Sequence, residues 1–269
     1  MSGVNEIKVE NWERFDAEIT RVFERFEKTK ASTTLKASVS EPLFRGQSDS
    51  RWQLRTTLQR FTAKPRTVSQ YHRALSIVAR AVESLTGRAW AIPDGEIDES
   101  YHGPPPAYEF MIYLRHHGFP SPLLDWSESP YVAAFFAFAQ RPAPGVDSVA
   151  IYEFREYIGQ AKVWDTDSAR IIGCGPTVVT HERHYSQQCE YTICKKPIGD
   201  HYFYCDHEEA VDDRQGAQDA LTKYIIPTSE RDSFLRKLDL MNISAYSLFR
   251  DESSLMQTLA YRVMEKRDV

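Results

Sequence analysis

Apolar residues at helical spacing predict the elements in the first third of the chain. Ile7 and Val9 indicate a short strand. Behind the capping candidate Asn11, an amphipathic helix is predicted by apolar residues that recur every three or four positions, at Trp12, Phe15, Ile19, Val22 and Phe26. The polar segment 28–42 predicts a loop that leads into a strand ending in Phe44-Arg45-Gly46. A second long helix, from Ser69 to a left-handed cap at Gly87, is predicted by Tyr71, Leu75, Val78, Val82 and Leu85.

The middle of the chain alternates between irregular and strongly apolar segments. Residues 90–110 are rich in proline and glycine, which predicts a long surface connection that serves as a lid or interaction loop. A helix over 107–117 is expected to stop at Gly118. Ser129 followed by Pro130 has the pattern of a helix N-terminus, and the helix that follows, 131–140, is apolar on all sides and is expected to be central.

Short segments rich in β-branched and aromatic residues predict strands in the second half of the chain. They cover 148–154, 170–179, 189–196 and 223–227. Helices are predicted at the C-terminal end, over 229–238, 244–249 and 251–266. Because helices come first, strands cluster after the middle and helices follow, the pattern favours an α+β fold with a mixed sheet, flanked by N-terminal and C-terminal helices.

Composition favours a single folded unit. The chain has 269 residues, of which 42% are hydrophobic and 12% aromatic, enough to bury a substantial core. We expect one domain over 1–269, with a helical extension at 1–40 and the candidate catalytic core at 41–269. No segment has the roughly 18 consecutive apolar residues of a membrane helix, and the first residues lack the order of a secretory signal. We therefore expect a cytoplasmic protein without membrane partners and with reduced cysteines.

Charge is distributed unevenly. The formal net charge is −5, which argues against general affinity for nucleic acid. Between Glu41 and Trp90, however, the sequence contains nine Arg and Lys residues and only three acidic residues. This segment predicts either a basic surface for a polyanion such as RNA or DNA, or simply a solvated helix face.

Three short tracts carry the candidate chemistry. Arg45 follows the apolar pair 43–44 at a strand end. The polar tract 125–128 precedes the central helix, where backbone N–H groups favour anions. The tract 185–191 contains Gln188 and Glu190 at the start of a predicted strand.

Taken together, these tracts resemble a known family. Phe44-Arg45-Gly46-Gln47, the stretch 116–138, the Gln-Gln pair before a strand and the tail 242–252 resemble the FRG-domain family, from about Leu43 to the C-terminus. The order of an aromatic-Arg-Gly strand end, a Ser-x-Ser tract and a Gln-x-Glu tract is also similar to mono-ADP-ribosyltransferases of the arginine-serine-glutamate class. This second resemblance implies an ADP-ribosyltransferase-like sheet and NAD as a substrate.

The resemblance implies a role for each matching residue. Cleavage of the nicotinamide–ribose bond passes through an oxocarbenium-like state that a carboxylate stabilises, and Glu190 would supply it. Gln188, on the same strand face, would orient the acceptor.

On the NAD side, Arg45 would grip a diphosphate or ribose oxygen in a bidentate manner, while Gly46 would let the backbone approach NAD. Ser127 and Asp125 would lie at the bound NAD, and Tyr131 would stack on nicotinamide.

The same residues have other interpretations. Arg45 would pair with Asp125 or Glu128 and only lock its strand, or Glu190 would be a solvated strand residue. His117 near Asp125 and Glu190 would suit a hydrolase. A zinc site would draw on Cys174, Cys189, Cys194 and Cys205 with His181, His184, His201 and His207, although no Cys-x-x-Cys pair is present.

The expected function is therefore an NAD-dependent mono-ADP-ribosyltransferase with a macromolecular acceptor, nucleic acid being favoured over protein. Because some FRG-domain proteins resemble toxins of bacterial antiphage modules, the resemblance implies a toxin-type effector that modifies RNA or DNA and is held in check by a neutralising antitoxin protein. The alternative from a different class is a non-catalytic module that binds a nucleotide or nucleic acid.

Overall fold

The computed structural model describes residues 3–35, 38–159, 168–175, 182–211 and 218–266. Most helices come before or after the run of strands in the second half of the chain, as expected for an α+β fold. Within the described ranges the α-helices are α1 (Trp12–Ser32), α2 (Thr57–Phe61), α3 (Val68–Thr86), α4 (Tyr108–His116), α5 (Pro130–Phe138), α6 (Glu182–Ser186), α7 (Arg231–Leu240), α8 (Ala245–Phe249) and α9 (Glu252–Ala260). None of these helices has both the length and the apolar composition needed to cross a membrane.

The strands form one mixed sheet. They are β1 (Asn5–Lys8), β2 (Leu43–Gln47), β3 (Leu124–Ser127), β4 (Ser148–Tyr157), β5 (Arg170–Gly173), β6 (Cys189–Ile198), β7 (His201–Tyr204) and β8 (Gln218–Pro227). The order across the sheet is β1-β8-β4-β2-β3-β6-β5, and β7 pairs with β6. β1 runs parallel to β8, and the other pairs are antiparallel.

Local signals at the helix ends act as predicted. The side chain of Asn11 accepts a hydrogen bond from the first turn of α1 (2.9 Å), and that of Ser129 does the same for α5 (3.3 Å). Gly87 closes α3 with φ +68°, a conformation that glycine adopts without strain. The second long helix starts one residue earlier than Ser69, because Thr67 and Gln70 form a capping box.

Other elements differ from the sequence prediction. β2 continues past Gly46 to Gln47, so Arg45 lies inside the strand and not at its end. The sequence pattern did not predict α2, β3 or β7, of which β3 lies in the interior of the sheet. The last part of the predicted strand over 170–179 falls outside the described residues.

Apolar clusters cover both faces of the sheet. On one face, α1, α5 and α7 pack over the half that contains β4 and β8, and α3 and α4 pack over the half that contains β5 and β6. The central position predicted for α5 is confirmed, since seven of its nine residues are buried. The third cluster lies on the opposite face, where Trp126, Tyr152 and Phe154 pack together with aliphatic residues of β3, β5 and β8 and of the connecting segments.

The sheet curls around this third cluster. The backbone N–H of Gly173 in β5 donates to the carboxylate of Glu156 in β4 (3.2 Å), although β2, β3 and β6 lie between these strands in the sheet. The face with Trp126 is therefore concave, and we call it the concave face.

The connection before α4 is attached to the protein body. The Glu99 carboxylate accepts hydrogen bonds from the backbone N–H groups of Ser69 (2.9 Å) and Tyr202 (2.7 Å). The Lys195 amine donates to the carbonyls of Glu99 and Tyr101 at 2.5 and 2.6 Å. These bonds fix the centre of the segment predicted to be a lid.

Candidate functional site

A cleft of about 870 Å³ lies between the sheet and the C-terminal helices. Its walls come from β2 and the residues after it, from β3, from one side of α5, and from the segment around α8 and α9. Its volume falls in the range of pockets that hold nucleotide-sized ligands. Of the predicted site residues, Arg45, Gly46, Asp125 and Ser127 line it, and Glu190, Gln188, His117 and Tyr131 do not.

The gap between β2 and β3 explains the position of Arg45. The two strands are joined at one pair of residues, Phe44 and Ser127, and they separate beyond it. The β3 carbonyls past this point lack a ladder partner on β2, and the Arg45 guanidinium takes that role by donating to the backbone oxygen of Asp125 (2.8 Å). The same nitrogen donates to the Asp125 carboxylate (2.8 Å), so the ion pair of the alternative interpretation is present.

Asp125 is shared among arginines from different elements. Arg115, in the last turn of α4, also pairs with its carboxylate. Burial alone would raise the pKa of Asp125, but Arg115 and Arg45 outweigh this effect and hold it well below its usual range. The carboxylate therefore remains charged at neutral pH.

Arg60 adds a third guanidinium group near Asp125. Burial, Arg45 and Arg115 lower the pKa of Arg60, which lines the cleft. No described residue gives it a carboxylate partner at ion-pair distance. Three guanidinium groups thus surround a single carboxylate, and we call Arg45, Arg60 and Arg115 the arginine cluster. Such a surplus of cationic donors in a cleft favours an anionic ligand.

Two buried polar atoms beside the cluster lack hydrogen-bond partners among the described residues. They are Nε of Arg45 and Oε1 of Gln47, and both side chains line the cleft. Gln47 is buried, and its amide nitrogen donates to the carbonyl of Gln53 (3.3 Å). Unpaired buried polar atoms are uncommon in folded proteins, and here they offer a donor and an acceptor to a ligand.

Gly46 is required by helix packing. A Cβ atom at this position would lie 1.9 Å from the carbonyl oxygen of Ala133 and 2.7 Å from the backbone nitrogen of Ala137. The backbone of α5 therefore occupies the space that the sequence interpretation gave to NAD. Gly46 lets α5 approach β2.

Ser127 connects β3 to the loop before β6. Its hydroxyl donates to the carbonyl of Gln187 (2.7 Å) and accepts from the backbone N–H of Ser129 (3.0 Å). The Gln187 side chain, which the sequence interpretation did not select, is buried and donates to the carbonyl of Leu248 (3.1 Å). Ser127 and Gln187 thus hold β3 against the C-terminal helices at the cleft wall.

Gln188 does not lie on the same strand face as Glu190. Its φ is +49°, in the left-handed region, and β6 begins only at Cys189. The side chain is exposed, and the backbone carbonyl accepts from the N–H of Glu128 (3.0 Å). The alternation of strand residues therefore does not apply to Gln188.

Glu190 lies on the concave face, outside the cleft lining. Its register partner on β3 is Trp126. Burial raises the pKa of its half-buried carboxyl group to about 7, and the carboxylates of Glu128 and Glu41 add to the effect. Among the described residues no hydrogen bond or ion pair reaches this carboxylate. Glu190 is thus neither paired structurally nor freely solvated, and it titrates near neutral pH.

Tyr131 and His117 have structural contacts elsewhere. The Tyr131 ring stacks on Trp12 with centroids 5.7 Å apart, and its hydroxyl donates to Asp16 (2.6 Å). His117 is exposed at the end of α4, with its ring 4.3 Å from that of Tyr113. No described contact joins His117 to Asp125, so the groups of the alternative hydrolase are not assembled.

The cysteine-rich region contains no cluster of metal ligands among the described residues. All four cysteines are free and buried, and the sulfur atoms of Cys194 and Cys205 are 3.3 Å apart. His207 is hydrogen-bonded to Thr192 (2.8 Å). His181, part of the possible zinc set, falls outside the described residues.

At its other end the cleft contains a second ion-pair group. The carboxylate of Glu265 accepts from Arg141 (3.0 Å) and from Arg231 (2.8 Å). Glu265 closes a π-helical turn, Tyr261–Glu265, that continues α9. Arg231 also lies 3.6 Å from the carboxylate of Asp232, so the charges of this group balance.

Comparison with known proteins finds one family. Residues 40–145 match the FRG domain. This segment contains β2, β3 and the whole arginine cluster, and it ends before Glu190. No curated protein and no solved structure shows significant similarity to the chain. The FRG resemblance is therefore supported over this segment, while the tract at 185–191 and the tail lie outside it.

Proposed function

We propose that this protein is an NAD-dependent mono-ADP-ribosyltransferase that transfers ADP-ribose to a macromolecular acceptor. By the resemblance to FRG-domain toxins, we also propose that it acts as a toxin-type effector in bacterial antiphage defence.

The relation of Arg45 to Glu190 carries the proposal. Arg45 pairs in register with Tyr152, and Glu190 pairs with Trp126. Both partners belong to the cluster on the concave face. The side chains of Arg45 and Glu190 therefore leave the backbone on that same face. Trp126 lines the cleft and lies beside Glu190. Trp126 therefore connects the arginine cluster to the carboxylate of Glu190.

The arginine cluster supplies what a dinucleotide substrate requires. The diphosphate of NAD is anionic, and Arg60 has no carboxylate partner among the described residues. The free Nε of Arg45 adds a further donor. Together they would hold the diphosphate by charge-assisted hydrogen bonds, which guanidinium groups form well with phosphate oxygens.

Glu190 has the properties needed at the reacting carbon. When the bond from the nicotinamide nitrogen to ribose C1′ breaks, the electron pair leaves with neutral nicotinamide and positive charge develops on the ribose. A nearby carboxylate stabilises this charge. An oxygen or nitrogen of the acceptor then bonds to C1′ and loses a proton. With a pKa of about 7, Glu190 is suited to accept that proton near neutral pH.

A binding module without catalysis is the second candidate, and one observation favours it. The arginine cluster alone accounts for anion binding, and Glu190 does not line the cleft. On this view the cleft senses a nucleotide and leaves NAD intact.

Release of nicotinamide separates the two candidates. The protein is incubated with NAD and a cell extract as the source of acceptor, and nicotinamide is measured by chromatography. Wild type is compared with Glu190→Gln and with Glu109→Gln, which alters an exposed carboxylate at the start of α4. We expect Glu190→Gln to reduce the rate about 100- to 1,000-fold, as loss of one transition-state-stabilising group does, and Glu109→Gln to match wild type. Equal rates in all proteins, or no release in any, would refute the proposal.

A further inference from the structure

The segment after β2 carries a surface that the cleft residues alone do not explain. From Ser50 to Val82 the sequence has no acidic residue, while it contains seven Arg and Lys. In the structure, two residues of the part from Arg51 to Arg66, Trp52 and Arg60, line the cleft. We call residues 51–66 the rim segment.

Two large aromatic side chains of the rim segment are exposed. Trp52 is 52% exposed and Phe61 is 76% exposed. Leaving such rings in water forgoes the gain from burying them. Trp52 lines the cleft, and Phe61 follows the cleft residue Arg60 directly in the chain.

Uncompensated positive charge accompanies these rings. Asp49 pairs with Arg51 (2.7 Å), and Asp206 lies 3.6 Å from Arg55. No described residue provides Arg60, Lys64 or Arg66 with an ion-pair partner. The rim segment therefore combines exposed aromatic faces with free cations over a short distance along the chain.

The backbone beneath this surface is well anchored. The Tyr152 hydroxyl donates to the carbonyl of Trp52 (3.1 Å), and the N–H of Leu58 in α2 donates to the carbonyl of Ser121 (3.1 Å). Thr56 caps α2 in a capping box. A fixed backbone that presents exposed rings loses little entropy on binding.

We infer that the rim segment binds single-stranded nucleic acid and presents it to the cleft, with bases stacked on Trp52 and Phe61 and phosphates held by Lys64 and Arg66. Stacking on aromatic rings requires unstacked bases, which single strands provide and duplexes do not. The role of this nucleic acid as the acceptor of ADP-ribose rests on the proposed function, but its binding does not.

Binding without NAD tests the inference separately from catalysis. Fluorescein-labelled oligonucleotides of about 12 nucleotides, as single-stranded RNA, single-stranded DNA and duplex DNA, are titrated with the full chain at about 50 mM salt, and anisotropy is recorded. We expect single strands to bind more tightly than the duplex. Tighter duplex binding, or no binding of single strands, would overturn the inference.

Variants locate the surface. Trp52→Ala and Phe61→Ala should each weaken single-strand binding by roughly five- to hundredfold, the range for loss of one base stack. Tyr246→Ala removes an aromatic ring that is 47% exposed on α8, and it should bind like wild type. If the rim variants and this control bind alike, the rings are not the binding surface.

Salt dependence tests the phosphate contacts. Lys64→Glu should lower the slope of log affinity against log salt by about 0.7, the value for one phosphate contact of a single strand. The matched control Lys28→Glu, on α1, should leave the slope unchanged. An equal slope for both variants would contradict the assignment of Lys64. Oligonucleotide binding by a protein that never releases nicotinamide would refute the transferase and leave this inference standing.

Discussion

Replacement of Glu190 by glutamine should stabilise the protein in a pH-dependent way. Burial, Glu128 and Glu41 raise the pKa of Glu190 from an ordinary value of 4.5 to about 7. The folded state therefore holds a proton that the unfolded chain releases over this pH range. Stability conferred by the protonated group is fully present below about pH 4.5 and is lost as the pH rises through about 7.

The structure sets the size of the effect. A carboxyl group whose pKa rises from 4.5 to about 7 on folding would, once it is ionised, lower the free energy of unfolding by at most about 3 kcal/mol. Because the Glu190 side chain keeps part of its contact with water, screening reduces this to about 1–2 kcal/mol. Glutamine has the same shape and no charge, so Glu190→Gln should avoid the cost.

Urea unfolding of wild type and Glu190→Gln at pH 5 and pH 8, the two sides of this range, measures the difference. We expect nearly equal free energies of unfolding at pH 5 and a more stable variant at pH 8, by about 1–2 kcal/mol. Glu109→Gln, at an exposed site, should show no pH-dependent difference. A constant difference between Glu190→Gln and wild type at both pH values would refute the raised pKa and, with it, the assignment of Glu190 as a proton acceptor near neutral pH.

Three further predictions concern the cleft. Gly46→Ala should lower the free energy of unfolding by at least about 2 kcal/mol, because the new methyl group meets the α5 backbone at 1.9 Å, whereas Ser48→Ala should have little effect in the same urea assay. Arg60→Ala should weaken binding of ADP-ribose about tenfold in calorimetry, because a charged hydrogen bond is lost. The control Arg88→Ala, outside the cleft lining, should not weaken binding. Equal weakening by both variants would contradict the assignment of the cleft as the binding site. Asp125→Asn should lower the free energy of unfolding by about 1–2 kcal/mol, because the arginine cluster loses its carboxylate. The same loss should strengthen binding of the anionic ADP-ribose. Weaker binding would contradict this account.

Sequence patterns were most informative where the signal is local. Asn11, Ser129 and Gly87 act as helix ends through contacts within a few residues, so their roles follow from residue type and spacing. By contrast, β3 has four residues, follows two prolines, and three of its four residues are buried. Such a strand shows no alternation of polar and apolar residues and is not distinguishable from an extended loop.

The site was predicted in part because its geometry depends on tertiary structure. The pairing of Arg45 with Asp125 was one of the expected alternatives, but the arginines that complete the cluster come from α2 and α4. Arg60 belonged to the basic segment, and nothing in its local sequence links it to Arg45. Gln188 was placed on the wrong surface because a residue with positive φ interrupts the strand pattern.

Transfer of label from NAD tests the central claim most directly. NAD labelled in its adenylate portion is incubated with total cellular RNA, DNA and protein, and wild type is compared with Glu190→Gln and Glu109→Gln. The proposed function predicts that label moves to a macromolecule with wild type and Glu109→Gln and not with Glu190→Gln, and the inference about the rim segment predicts that the labelled fraction is nucleic acid. Label in protein alone would contradict that inference. Intact NAD under every condition would contradict the transferase.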